Sequence, residues 1–265
     1  MSAPLLSVIT VCRNALPALK RTAESVLSQR RPEVEYWVVD GASTDGTPDY
    51  LAELERRGVR TVSEPDGGIA DAMNKGARLA TGTWIAHLHA DDESLPGALE
   101  IVAREARDDA DVLCGWLEKR EVRGETLFRC DPSRLYAEMT VNHPASFVRR
   151  ELFERLGGFD RVWPNAMDYE FFLRLRTHDA RFRVIEAPLA RMAYGGQSER
   201  SLRKTLAEAR DIRRLHRSPA LYRSQAYYLY QLARSELRGV FQRAGLGGFV
   251  RWYRRRFAWP PKGAA

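Results

Sequence analysis

The chain has 265 residues, 44% hydrophobic and 29% charged, with a net charge of +7. That length admits one large domain, or a domain with an appendage, and the composition excludes disorder, collagen and a bundle of membrane spans. Apolar runs such as residues 5–12 fall far short of the roughly 20 residues a membrane-spanning helix needs, and the first residues lack the pattern of a signal peptide.

Residues 5–12 are apolar and β-branched and read as a strand, and 15–29 carries Leu16, Leu19, Ala23, Val26 and Leu27 at helical spacing. A second apolar run, 34–40, leads through the loop GASTDG into a helical stretch ending at Arg57. Next come a short strand at 59–62, a helix at 69–80, a strand at 84–89, a helix at 95–107 and a strand at 111–116. Strands that are apolar throughout and separated by helices indicate a parallel sheet covered on both faces. The fold class is therefore α/β, of the nucleotide-binding, Rossmann-like kind, with a mostly parallel central sheet flanked by helices. From Leu117 the rhythm breaks. Residues 117–122 and 125–130 flank Gly124 as a hairpin, and segments 144–149, 169–176 and 182–187 follow, the last two reading as helix and strand. After Gly195-Gly196 the sequence is helical and basic, which places a boundary between a domain at 1–197 and a helical C-terminal extension at 198–265.

The charge divides at that boundary. Residues 198–265 hold 16 Lys+Arg against 4 Asp+Glu, a balance of +12 that leaves −5 on the first 197 residues. A basic tail calls for a polyanionic partner, either nucleic acid or an anionic membrane surface. A nucleic-acid binder should be basic on its main domain as well, so no nucleic acid is expected here. Near the end, Phe249, Trp252, Tyr253 and Phe257 fall at i, i+3, i+4 and i+8, with Arg251, Arg254 and Arg255 on other faces. That pattern fits an interfacial membrane helix, and simple packing of the aromatics on the domain is the alternative. Three widely spaced cysteines, Cys12, Cys114 and Cys130, form no C-x-x-C pair. This argues against a disulfide framework or structural zinc and for the cytoplasm, at the inner face of the cell membrane if the tail binds lipid.

In an open parallel sheet, ligands bind beyond the carboxyl ends of the strands. Those ends read TVCRN at 10–14, Asp40 in VVDGASTDGT, EPDGG at 64–68 and HADD at 89–92. Asp and Gly are common turn formers, but polar or acidic ends on four separate strands point to a ligand. Asp40 is suited to accept hydrogen bonds from a ribose or a pyrimidine N–H, whereas Asp45, ahead of Gly46-Thr47-Pro48, is expected to cap the next helix. The adjacent carboxylates Asp91 and Asp92 repel each other unless a cation or donors compensate. Mg²⁺ or Mn²⁺ bridging to a diphosphate would do so, with Asp91 as ligand and Asp92 as cap of the helix near Leu95. His87 is expected to be structural, while His89 is a candidate site residue. Glycines 67 and 68 precede a helix start, which favours an anion. No G-x-G-x-x-G, P-loop or H-E-x-x-H motif is present.

Together, SVITVCRN, VVDGASTDGT, SEPDGGIADAMNKGARLATGTWIAHLHADD, NHPASFVRRELFERLGGFD and AMDYEFFLRL resemble the family 2 glycosyltransferases of the GT-A fold, over residues 5–197. The resemblance implies inverting transfer of a sugar from a nucleotide-sugar donor, with a UDP-sugar favoured, to a hydroxyl on a glycan or lipid-linked acceptor. It implies that Thr10, Val11, Arg13 and Asp40 hold the nucleoside, and that Asp66, Gly67, Asn74, Ala90 and Asp91 line the donor side. Asp91 matches the last acid of the family's Asp-x-Asp metal motif, and the sequence departs from that motif at its first position, which is His89. Asp168 matches the catalytic base, which removes the acceptor's proton as attack proceeds. His143 matches a segment near acceptor and phosphate, and Glu170 is given a supporting role there. The rival expectation is a non-catalytic basic protein that binds membrane or nucleic acid and carries a degenerate α/β domain.

Overall fold

The computed structural model describes residues 3–121, 124–193 and 201–243; the aromatic run at 249–257 and the Gly195-Gly196 boundary lie outside them. Strands β1 (Leu6–Cys12), β2 (Val34–Asp40), β3 (Arg60–Ser63) and β4 (Trp84–His87) alternate with helices α1 (Leu16–Leu27), α2 (Thr47–Arg56) and α3 (Ile69–Leu79). Their order in the sheet is β3-β2-β1-β4, every pairing parallel. The second half contains β5 (Asp92–Ser94), α4 (Ala98–Glu105), β6 (Val112–Glu121), β7 (Gly124–Phe128), β8 (Ser146–Arg149), α5 (Arg150–Arg155), α6 (Met167–Thr177) and β9 (Phe182–Met192). It continues the sheet as β8-β6-β9-β5, with β7 paired to β6. Here only β6 and β9 run parallel; β4/β8, β6/β8, β5/β9 and β6/β7 are antiparallel. The mostly parallel sheet expected is thus parallel through its first four strands and again at β6/β9, and antiparallel at the other pairings of its second half. A parallel return needs a crossover of about a dozen residues, which the hairpin between β6 and β7 cannot supply.

Alternation along β1 divides the core. Leu6, Val8 and Cys12 face one side, with Leu19 and Val26 of α1, Leu51 and Leu54 of α2 and Leu99 and Val102 of α4. Ile9 and Val11 face the other, with Met73 and Ala77 of α3 and Phe171 and Leu175 of α6. Each fully buried aliphatic side chain contributes about 1.5–3 kcal/mol relative to exposure. Helix α3 lies close on the sheet through Gly76, where a Cβ would stand 2.3 Å from Ile9 Cγ2.

Helix α4 begins at Ala98 rather than near Leu95, because Gly97 takes the left-handed conformation, φ +80°, that stops the helix from extending backwards. Helices α7 (Leu202–Leu215) and α8 (Gln225–Arg243) form the extension. Ala209 and Ile212 of α7 belong to the same apolar cluster as α3 and α6. Arg213, fully buried, donates to the carbonyls of Tyr222 (2.8 Å) and Ala137 (3.1 Å) and to Gln231 (2.9 Å).

Candidate active site

The parallel strands end in register. Cys12 pairs with Asp40, and Asp40 with Ser63, as the last partners of β1/β2 and β2/β3. Beyond them, Ala90 N–H donates to the Val11 carbonyl at 3.3 Å, which brings the HADD segment alongside the end of β1. Asp40 is fully buried, and its carboxylate accepts from the Ser43 amide (2.9 Å), the Ser43 hydroxyl and the Ser63 hydroxyl (2.6 Å). The Cys12 thiol also faces it at 3.6 Å. Asp40 therefore anchors the loop that follows it, by way of Ala42 in the left-handed region at φ +56°. Asn14 Oδ1 accepts from the Thr44 amide at 2.8 Å. Asp45 accepts from the amides of Thr47 (3.0 Å) and Leu16 (3.2 Å), so it serves the starts of both α2 and α1, though Gly46 is the cap residue itself.

Gly41 explains how two of the predicted residues, Arg13 and Asp66, converge. A Cβ there would stand 2.3 Å from Asp66 Oδ2 and 3.3 Å from Arg13 Cδ. With only hydrogen in that space, Asp66 and Arg13 come together over the strand end. Asp66 also accepts from the Gly68 amide at 2.8 Å.

On the far side of β1, a cluster of ionisable groups joins three distant stretches. The rings of His89 and His143 lie 4.8 Å apart. His143 Nδ1 contacts Asp168 Oδ2 at 3.1 Å, and the Tyr169 amide donates to Asp168 Oδ1 at 2.8 Å. Asp168 opens the first turn of α6, where the helix dipole favours an anion, and its side chain is 26% exposed. Burial works against charge on both partners. It is outweighed at His143 by the hydrogen bond and charge of Asp168, with Asp92 and Asp91 adding, so the imidazole titrates above its usual range. At Asp168 the bond and charge of His143, the Tyr169 amide and His89 likewise hold the carboxyl below its usual range. His89 behaves oppositely. Burial, reinforced by His143 and His87, holds its pKa down at about 3, with Asp168 opposing, so the ring is neutral.

Asp92 overturns an expectation. It does not cap α4, whose start has no side-chain cap. It lies in β5, 2% exposed, with Oδ1 unpartnered. Burial, with Asp91 adding and His143 opposing, lifts its pKa to about 7. The Thr22 hydroxyl of α1 holds the backbone here, bonding the Asp92 carbonyl at 2.6 Å. Asp91, its neighbour, is exposed.

Other predicted residues sit elsewhere. Thr10 is fully buried and its hydroxyl accepts from Tyr36 OH at 3.0 Å; Val11 is buried in the core beneath the edge. Asn74 exchanges two 2.8 Å bonds with the backbone of Phe159, which fixes the 157–159 loop against α3. The exposed Gly67 donates its amide to Asp71 at 2.9 Å. Glu170 faces away from Asp168. It is 3% exposed, paired with Arg174 at 2.7 Å and with His216, just past the end of α7, at 2.9 Å, and lines a cavity of about 890 Å³ together with Asn74. His216 and Arg213 escape sequence reasoning because their partners lie on other elements. Asp92 is visible in the sequence as half of a doubled acid, but the strand it enters is not. Among the described residues, no group of three or more His, Cys, Asp or Glu is gathered as a metal site.

With this geometry in view, the comparisons with known proteins converge. The family described as Glycosyl transferase family 2 matches residues 7–172. The chain belongs to that family. The glycosyltransferase is 38% identical over 182 residues to the uncharacterized glycosyltransferase Rv1514c of Mycobacterium tuberculosis, covering 65% of this chain and 69% of the relative. It is 33% identical over 189 residues to a PGL/p-HBAD biosynthesis glycosyltransferase of Mycobacterium bovis, covering 68% of this chain and 73% of that one. Among solved structures, S. aureus TarS 1-349 in complex with UDP-GlcNAc is similar with a TM-score of 0.64 and 19% identity, over 78% of this chain and 65% of that one. The mannosyltransferase PcManGT of Pyrobaculum calidifontis, in complex with GDP-Man and Mn²⁺, gives 0.65 at 21% identity, over 96% and 81%. These two likenesses establish the GT-A type of fold for the glycosyltransferase.

Proposed function

We propose that the protein is an inverting glycosyltransferase that moves a sugar from a nucleotide-sugar donor, a UDP-sugar by preference, to a hydroxyl of a lipid-linked or polysaccharide glycan, with Asp168 as the base. The observation that carries this reading is the carboxylate of Asp168, partly open to solvent and held on both oxygens by His143 and the Tyr169 amide. A carboxylate has about four lone-pair sites; two are engaged, and those remaining accept the proton of the acceptor hydroxyl as it attacks the anomeric carbon. The nucleoside half of the donor takes the edge at Gly41 where Arg13 and Asp66 come together, on the loop that the buried Asp40 anchors. The relative named for PGL/p-HBAD biosynthesis and the similarity to the chondroitin synthase of Pasteurella multocida support a glycan acceptor.

Asp91 and His89 are the residues that would hold Mn²⁺ or Mg²⁺. His89 suits that role, since Nε2 is buried without a partner and burial keeps the ring neutral, the state in which imidazole ligates. When bound, the ion supplies charge neutralisation for the departing nucleoside diphosphate. Two protein ligands would leave the ion's remaining positions open to substrate and water, the partial protein shell that Mg²⁺ usually takes. The PcManGT complex with Mn²⁺ supports a divalent ion.

The test begins with a panel of nucleotide sugars, reading nucleoside diphosphate release. Asp168→Asn should abolish turnover while calorimetry still detects binding of the nucleoside diphosphate. EDTA should stop the reaction and added Mn²⁺ or Mg²⁺ restore it. Near-normal turnover by Asp168→Asn removes Asp168 as base, and full activity in chelator removes the metal assignment.

A further inference from the structure

Helix α8 is anchored on one face and about half exposed on the other. Inward, Gln231 is 3% exposed and accepts from Arg213 at 2.9 Å, Tyr227 lies 5.3 Å beneath the Arg213 guanidinium, and Arg234 reaches Glu138 at 2.7 Å. Outward, Leu229, Leu237 and Val240 are 52%, 55% and 49% exposed, and Ala226 and Ala233 are exposed beside them. Steps of three and four residues set these five positions on one side of a helix, a stripe about 21 Å long at 1.5 Å per residue. The acidic residue of α8, Glu236, is engaged by Arg203 at 3.2 Å. No helix among the described residues is long and apolar enough to cross a membrane.

We infer that this stripe is a docking surface for an anionic lipid bilayer, along which α8 lies flat. Charge selects the occupant. Residues 201–243 carry ten basic and three acidic residues, so a positive surplus outlasts the burial of Arg213, the pairing of Arg234 with Glu138 and the pairing of Arg203, Arg210 and Arg214 with Glu236 and Asp211, and 244–265 add five basic and no acidic ones. A second copy would set two strongly positive surfaces face to face, and the chain's own last residues would likewise meet like charge. An anionic leaflet supplies both what the leucines need and what the arginines need: hydrocarbon at the headgroup boundary and negative charge above it. The inference rests on the reading of a lipid-linked acceptor only for its purpose; its observations are the exposed stripe of α8 and the charge of residues 201–265.

The experiment uses the full chain in flotation with phosphatidylcholine vesicles and with mixed phosphatidylglycerol/phosphatidylcholine vesicles. Wild type should float with the anionic vesicles and not the neutral ones, and release as salt is raised. The triple variant Leu229→Gln, Leu237→Gln, Val240→Gln changes only exposed side chains, so its melting temperature should match wild type. Its partition to anionic vesicles should fall by roughly tenfold or more, since apolar burial scales with the side chains inserted. Wild-type partition by the triple variant, or no flotation by wild type, overturns the inference. So does a wild-type dimer by light scattering that the variant converts to monomer, which would assign the stripe to a second copy. Nucleoside diphosphate release without vesicles should be the same for both chains. Lost flotation with intact release, and lost release in Asp168→Asn with intact flotation, keep the two proposals separately testable.

Discussion

Removing the His143 side chain should slow transfer only while Asp168 is a carboxylate. His143 Nδ1 stands 3.1 Å from Asp168 Oδ2, and a hydrogen bond to a charged group contributes about 1.5–3 kcal/mol. If that contact orients the base, its loss lowers kcat by about ten- to a hundredfold at 1.4 kcal/mol per decade. Asp168→Asn removes the base outright, an expected loss of about 10²–10⁴-fold. The two losses share one interaction, so they should not multiply. In the Asp168→Asn background His143→Leu should cost about twofold or less, a small residue of the single-variant effect. His143→Asn places an amide donor near the lost Nδ1 and should recover part of the rate in the Asp168 enzyme. Nucleoside diphosphate release is the assay, with melting temperatures to confirm folding, because His143 also packs on the ring of His89 at 4.8 Å. Multiplicative losses in the double variant would refute the reasoning: His143 would then act apart from Asp168.

Three further outcomes concern stability. Gly76→Ala drives a methyl against Ile9 Cγ2 (2.3 Å) and Val39 Cγ2 (3.2 Å); overpacking of this kind costs about 1–3 kcal/mol, and a lower midpoint in urea should report it. Glu35 is 7% exposed and accepts from Ser7, from Arg60 and from the amide (2.8 Å) and hydroxyl (2.9 Å) of Thr81. Burial raises its pKa, but these bonds and the Arg60 charge hold the net value below its ordinary 4.5. Its contribution to stability is therefore fully present above pH 4.5 and fades as pH falls through the lower folded value; Glu35→Gln should flatten that acid limb in urea titrations, and an unchanged limb would exclude Glu35 as its source. Arg213→Met leaves the Tyr222 and Ala137 carbonyls and Gln231 without their donor, and at about 1–3 kcal/mol for each unsatisfied buried group the melting temperature should fall by several degrees.

The features legible in the sequence are those that depend on neighbours in the chain. The expected strand at 34–40 is β2 to the residue, because an apolar run bounded by a turn defines itself locally. Asp168 and His143 are each singled out by the family resemblance, but their contact, 25 residues apart in the chain and 3.1 Å in space, is visible only in the fold. The misplacements involve long-range partners. Whether Asp92 caps a helix or enters a strand depends on its pairing with Met192 of β9, and a three-residue strand carries no period of its own. Glu170 is two residues past Asp168 on α6, a step that turns it to another face of the helix, and it is His216 from the extension that meets it there. Thr10 reads as a strand-end polar group, yet the alternation that sends Val8 and Cys12 inward sends Thr10 with them, to Tyr36.

The extension carries the same lesson into electrostatics. A count of ten basic against three acidic residues over 201–243 reads as a surface waiting for a polyanion, because charge in a sequence has no address. Part of it is committed inside the molecule: Arg213 is fully buried, and Arg234 ties α8 to Glu138. An arginine cannot relieve its burial by losing a proton, so its site must be built from acceptors, and here these come from the 137 region, the turn at Tyr222 and Gln231. That requirement sets the rotation of α8. Once Tyr227 and Gln231 are drawn inward to Arg213, a repeat of 3.6 residues leaves positions 226, 229, 233, 237 and 240 no direction but outward. The buried charge and the exposed apolar stripe thus have one cause, and a variant that frees Arg213 from Gln231 should loosen the stripe as well as the core.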